Sequence, residues 1–171
     1  MEALVNRARS PSPIDMVDEA VELPPPLTPS QLDALQQRIG VDLPSSVRDV
    51  YSVVGNGGFG PGYGLIGLVG GFLSDLRTDV ESDYLVRRGS DPNDPGWSWP
   101  EGMLAICHWG CAIYSCVDCS DPLGPVVRFD PNPVDDDWKI AWGPEVGSFE
   151  QWLRDWLHGD DLFLRGVPRV E

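Results

Sequence analysis

Leu43-Pro44-Ser45-Ser46-Val47-Arg48-Asp49-Val50-Tyr51-Ser52-Val53-Val54-Gly55-Asn56-Gly57-Gly58-Phe59-Gly60 reads as a short helix with both of its boundaries in view. Proline fixes φ near the helical value and has no amide hydrogen to lose, so Pro44 suits a helix start. Val47, Val50, Tyr51 and Val54 then recur at the 3.6-residue spacing that makes one apolar face. Gly55 and Asn56-Gly57-Gly58 end it, because glycine reaches the positive φ that a sharp exit requires. Upstream, Thr28, Pro29 and Gln31 form a capping box ahead of Leu32, Leu35 and Ile39, with Gly40 as the stop. Two consecutive helices are therefore expected between residues 28 and 54.

Outward from this pair the period changes. After the Gly-rich run 57–71, Leu65 to Leu68 reads as a strand, and residues 75–88 show helical spacing through Leu76, Val80, Tyr84 and Arg87. Asp91-Pro92-Asn93-Asp94-Pro95-Gly96 is turn chemistry. Segments 103–109, 111–118 and 125–130 are short apolar runs bounded by Gly110 and by Asp121-Pro122-Leu123-Gly124, and Trp138–Trp142 reads as a further strand. Ser148 and Gln151 make a second capping box, and Phe149, Trp152, Leu153, Trp156 and Leu157 form a wide apolar stripe ending at Gly159. Residues 1–26 carry no period and end in three prolines, so they read as an irregular tail before a single domain over 27–171. Helices at both ends around tightly connected strands indicate an α+β fold, its largely antiparallel twisted sheet packed against those helices.

Several motifs suggest chemistry that their context does not support. Gly62-Tyr63-Gly64-Leu65-Ile66-Gly67 matches the dinucleotide fingerprint G-x-G-x-x-G, but a helix precedes it, strand-like residues follow, and Arg87 stands where an acidic residue is required. Cys107, Cys111, Cys116 and Cys119 cluster beside His108, yet only 116/119 has the C-x₂-C spacing. Alternation along a strand also sends Cys111 and Cys116 to opposite faces. The four are expected as small buried apolar side chains, with no metal, although redox use of the 116/119 pair stays open. His108 lies in an apolar strand and His158 at a helix C-terminus; neither adjoins a nucleophile motif. Adjacent Asp135-Asp136-Asp137 and Asp160-Asp161 read as solvated turn residues. No cofactor and no catalytic set are expected.

Charge narrows the choice of partner. The chain has 171 residues with 12 Lys+Arg against 27 Asp+Glu, a net charge of −15. Such a surface repels phosphate backbones and anionic lipid, so nucleic acid and membrane are poor partners and a basic protein is a good one. No stretch has the ~18 apolar residues of a membrane helix, and the first 20 residues lack the apolar core of a signal peptide. A cytoplasmic protein with reduced cysteines is expected. The acidic excess falls in loops at Asp118, Asp121, Asp130, Asp135, Asp136, Asp137, Asp160 and Asp161, near the exposed aromatics expected at Trp99, Trp138 and Trp142. Asp118, Asp121, Asp135, Asp136, Asp137, Trp138, Asp160 and Asp161 are the expected partner-binding residues.

The order of pieces resembles the SUKH superfamily, which takes in fungal cell-wall-assembly regulators and many bacterial immunity proteins. The resemblance rests on Leu43, Pro44, Tyr51, Asn56, Gly57 and Gly58, then on the Trp-bearing segment 99–110, on Gly124-Pro125-Val126, and on the closing helix with Phe149, Trp152 and Leu153. It spans about 28–158 and departs from the family at the Cys-rich 103–119. It implies that the shared residues define the fold and that the activity is stoichiometric binding. The reading that follows is an immunity protein occluding a basic toxin domain of nuclease type. The alternative is an intracellular regulator or scaffold without a toxin. Oligomeric state stays open.

Overall fold

Thr28 accepts a hydrogen bond from the Gln31 amide while the Gln31 side chain returns one to the Thr28 amide, which closes the capping box of helix α2 (Pro29–Ile39). In this computed structural model, residues 1–9, 22–89, 91, 94, 96–135 and 137–165 are described, with the backbone only at 165. Gly40 ends α2 at φ 69°, and α3 (Ser45–Val53) follows Pro44, burying Val47, Val50 and Tyr51 as the spacing predicts. Helix α4 (Val80–Arg87) is shorter than its sequence pattern. The Asp79 carboxylate takes the Ser82 amide and starts the helix there, leaving Leu76 outside it and 63% exposed.

The sheet is an antiparallel meander in the order β1 (Met103–Gly110), β2 (Ile113–Asp118), β3 (Val126–Phe129) and β4 (Trp142–Val146). Cys111 and Ala112, expected in the second strand, instead form a two-residue hairpin turn with φ of 51° and 60°. Positive φ at both positions is the turn that matches strand twist, although Asn-Gly is its usual signature. Helix α5 (Phe149–Leu157), capped by Ser148, buries Phe149, Trp152, Leu153 and Trp156. Each such side chain contributes roughly 1.5–3 kcal/mol. The α+β expectation holds: α5 and a short α6 (Leu162–Arg165) cover one sheet face, and α4 covers the other.

Three further expectations change. Trp138–Trp142 is not a strand: Asp137 caps a 3-10 turn, η1 (Trp138–Ala141), and β4 begins only at Trp142. Leu65–Leu68 joins β1 through a bridge at Cys107 and the Ile66 amide to Ile106, but Leu68 turns its amide to the Asn56 side chain and the pairing stops. The tail is not wholly irregular, because α1 (Glu2–Ala8) packs Leu4 and Ala8 against α5, with Arg7 over the Trp156 ring at 4.6 Å.

Asn56 organises the Gly-rich loop. Its side chain accepts from the Leu68 amide and donates to the Val69 carbonyl, both at 2.9 Å, and its carbonyl accepts from Phe72. A Cβ on Gly57 would lie 2.6 Å from the Leu65 carbonyl oxygen, and one on Gly67 would lie 2.1 Å from that of Gly70. Glycine here is a requirement of backbone-to-backbone approach. The fingerprint-like 62–67 run belongs to this cradle and not to a phosphate site.

Candidate functional site

The two sheet faces differ in chemistry. On the α5/α6 face, β-bulges at Trp109 and Glu145 turn those side chains inward. The Glu145 carboxylate, 2% exposed, ion-pairs with Arg128 and accepts from Ser115 Oγ at 2.8 and 3.0 Å and from Trp152 Nε1 at 2.9 Å. Trp109 Nε1 donates to Ser115 Oγ at 2.8 Å, and Arg128 also donates to the Leu162 carbonyl at 3.0 Å. The Arg128 guanidinium lies over the Trp109 and Phe163 rings. Each donor has an acceptor, so this cluster is a structural node tying all four strands to α5 and α6.

On the α4 face, Arg87 reaches from the helix into a ring of aromatics. Its guanidinium is 4.5 Å from the Trp99 centroid, 4.6 Å from Tyr114 and 5.7 Å from Phe129, and Asp83 holds its Nε at 2.5 Å. Trp99, expected as an exposed aromatic, is instead buried, donating Nε1 to the Met103 carbonyl at 2.7 Å. Around it Trp97, Trp138 and Trp142 are half-buried. Trp97 meets Trp138 edge-on at 4.8 Å, and Trp138 Nε1 donates to Asp94 Oδ2 at 2.7 Å. Ile140 lies 53% exposed beside them in η1. This is a surface of fixed indoles with carboxylates at Asp94, Asp135 and Asp137.

Most of the expected acidic residues have local tasks. Asp118 accepts from the Ser120 amide and hydroxyl, Asp121 from the Leu123 amide, Asp130 from the Asn132 amide, Asp137 from the Lys139 amide, and Asp161 from the Phe163 amide. Each is a side-chain-to-backbone turn, which short carboxylates make readily. Asp135 is exposed, Asp160 follows α5, and Asp136 lies outside the described residues. The β2–β3 turn with Asp118 and Asp121 sits at the opposite end of the antiparallel strands from the loop with Asp135, Asp137 and Trp138. The predicted set therefore does not form one patch. The residues expected to define the fold (Leu43, Pro44, Tyr51, Asn56, Gly57, Gly58, Phe149, Trp152 and Leu153) are all buried; Tyr51 donates its hydroxyl to the Ile66 carbonyl at 2.7 Å, and burial pushes its ionisation far up.

Cysteine and histidine placement follows from burial. Cys107 and Cys116 are buried, and desolvation raises both thiols well above their ordinary value. Cys119 is half-buried and pushed up to about 12 by desolvation and then by Asp118. Cys111, expected buried, is exposed on the hairpin turn. Among the described residues no three His, Cys, Asp or Glu gather as a metal set. His108 Nε2 accepts from the Gly110 amide at 3.2 Å and lies 3.3 Å from the Asp75 carboxylate, between the Tyr63 and Tyr114 rings. Among the described residues no helix is long and apolar enough to cross a membrane.

A Leu-Pro helix running into a glycine cradle, an antiparallel meander and a Trp-bearing closing helix define a small α+β domain whose shared motifs hold the fold together. The chain belongs to the SMI1 / KNR4 family (SUKH-1), whose family model matches residues 26–155. No curated protein matches the chain. The sequence signals that could have found the indole surface were the clustered tryptophans. Neither the Arg87 cage nor the Glu145 node had a signal, because both are assembled from distant segments.

Proposed function

We propose that this protein is a non-enzymatic immunity protein, acting in the cytoplasm by binding and occluding a basic toxin domain of nuclease type. The observation that carries this reading is the half-buried surface of Trp97, Trp138, Trp142 and exposed Ile140, flanked by Asp94, Asp135 and Asp137 on a chain of net charge −15. Aromatic anchors held in place by hydrogen bonds and ring contacts lose little entropy on docking. The surrounding acidic field accelerates encounter with a basic partner and competes with the nucleic acid such a partner would bind. Membership of the SUKH-1 family supports the reading through the immunity proteins of the wider superfamily.

The experiment is co-expression of the chain with the toxin-like C-terminal domain encoded beside it, scoring host survival and co-elution on a sizing column. Rescue with co-elution is expected, with both lost in Trp138→Ala/Ile140→Asp. A folded chain that neither rescues nor co-elutes overturns the immunity reading in favour of an intracellular regulator or scaffold.

A further inference from the structure

The ring layer on the α4 face already holds one guanidinium, that of Arg87 on Trp99, Tyr114 and Phe129. The half-open indoles belong to the same layer: Trp142 lies 4.9 Å from both Trp99 and Phe129, and Trp97 lies 6.0 Å from Trp99. Trp97, Trp99, Trp109, Trp138 and Trp152 each place Nε1 on an acceptor, whereas Trp142 Nε1 has none among the described residues. Strand β4 is the outer edge of the sheet. The Asp130 amide bonds to the Ala141 carbonyl at 2.8 Å, and the pairing that follows turns the backbone groups of Trp142 and Pro144 outward. The Trp142 amide is taken by the Lys139 carbonyl, and Pro144 has no amide hydrogen. At these two positions the edge offers carbonyls and no free donor, which opposes pairing with a further strand. The carboxylates of Asp94, Asp135 and Asp137 stand here against one unpaired cation, Lys139; Arg87 is held by Asp83, and Arg88 by the Trp99 carbonyl and Glu101.

The structure assigns this surface to an arginine side chain carried on a loop of a protein partner. A guanidinium is planar, stacks on indole and donates in a fork that suits carboxylates, so it uses the π faces and the Asp94 and Asp137 carboxylates together. A backbone carbonyl of the same loop meets the Trp142 Nε1 hydrogen. The assignment rests on the reading of the indole surface as the binding site and names the side chain that the site recognises.

The test titrates the full, isotope-labelled chain with acetyl-Gly-Arg-Gly-amide and follows the indole N–H signals by NMR. Saturable shifts are expected at Trp97, Trp138 and Trp142, with Trp109 and Trp152 on the opposite face unmoved. The affinity should fall in the ~millimolar range that so small a ligand reaches. The citrulline peptide, equal in shape and uncharged, should bind about fivefold less tightly, the scale of one exposed cation–π contact with one exposed ion pair. The lysine peptide should bind about threefold less tightly. Asp137→Asn keeps the cap of η1 and should weaken the arginine peptide about twofold, with the melting profile retained. Trp142→Phe keeps a ring, deletes the N–H and should weaken it about threefold. Absent shifts, equal affinity for the arginine peptide and either substitute, or shifts that spread equally to Trp109 and Trp152 overturn the assignment. If the chain rescues its host while the arginine peptide moves none of the three indoles, the arginine assignment falls and the immunity reading stands. If the arginine preference is found in a chain that never rescues, the immunity reading falls and the assignment is supported.

Discussion

The two sheet faces each hold one arginine against aromatic rings, and they do so in opposite ways. Arg128 is 4% exposed and meets a carboxylate, a carbonyl and two rings, within a network that also satisfies two indoles and a serine. Arg87 meets one carboxylate and three rings, and the aromatic layer over it stays half open at Trp97, Trp138 and Trp142. The first arrangement is closed, with its polar groups satisfied, which fixes how strands and closing helices meet. The second leaves apolar area and indole edges in contact with water. On the proposed reading, holding the fold and meeting a partner are divided between opposite sides of four strands.

That division predicts unequal responses. Arg128→Met leaves Glu145 charged, buried and without its cation, so a loss of about 3–5 kcal/mol is expected in urea unfolding; a loss below that of Arg87→Met would reverse the assignment of the two faces. Arg87→Met removes a partly shielded cation–π set and should cost about 1–2 kcal/mol. Melting monitored by tryptophan fluorescence reads it directly, since the affected rings are indoles.

A third effect concerns His108, on the same side as Tyr114. Burial holds its pKa below the ordinary value, against the pull of Asp75, so folding favours the neutral ring. Its contribution is complete above about pH 6.5 and declines as pH falls from there, until the folded-state ring also takes a proton. Urea midpoints between about pH 7.5 and 5 should fall with acid, and His108→Gln should flatten that slope. The smallest effect on folding is expected from Asp135→Lys/Asp137→Asn, in which Asn keeps the oxygen that caps η1, with a change of about 0.5 kcal/mol or less. The same pair should slow association with the proposed toxin partner and reduce its salt dependence, which stopped-flow measurement would test; an unchanged on-rate would remove this end of the sheet from the encounter surface.

What could be read in advance followed locality. The boundaries of α2 and α5 depend on a side chain and an amide three residues apart, as at Thr28 and Gln31 or Ser148 and Gln151, and such signals lie within one turn of sequence. Trp138–Trp142 misled because its alternation fits a strand, while Asp137 and the Trp138 bond to Asp94 hold a tight turn there. Leu65–Leu68 misled because Asn56, a dozen residues back, takes the amide that a strand neighbour would need. At the candidate site, the tryptophans were legible as anchors, yet which one is buried depended on how Met103 and Phe129 meet Trp99. The acidic residues were legible as loop charges, but the amides they hold two residues on depend on turn conformations that composition does not fix.

Those turns give the protein a separable control of its charge. Asp118, Asp121, Asp130, Asp137 and Asp161 hold their turns through a side-chain oxygen that Asn carries at the same distance from the backbone. Glu keeps the charge but moves that oxygen one methylene away. A stepwise Asp→Asn series would therefore remove up to five of the fifteen net negative charges at constant shape, whereas Asp→Glu would change shape at constant charge. The chain thus offers a graded dial for its electrostatic reach that leaves its contour unchanged, and selection acting on a lineage of changing partners could turn that dial by single nucleotide changes.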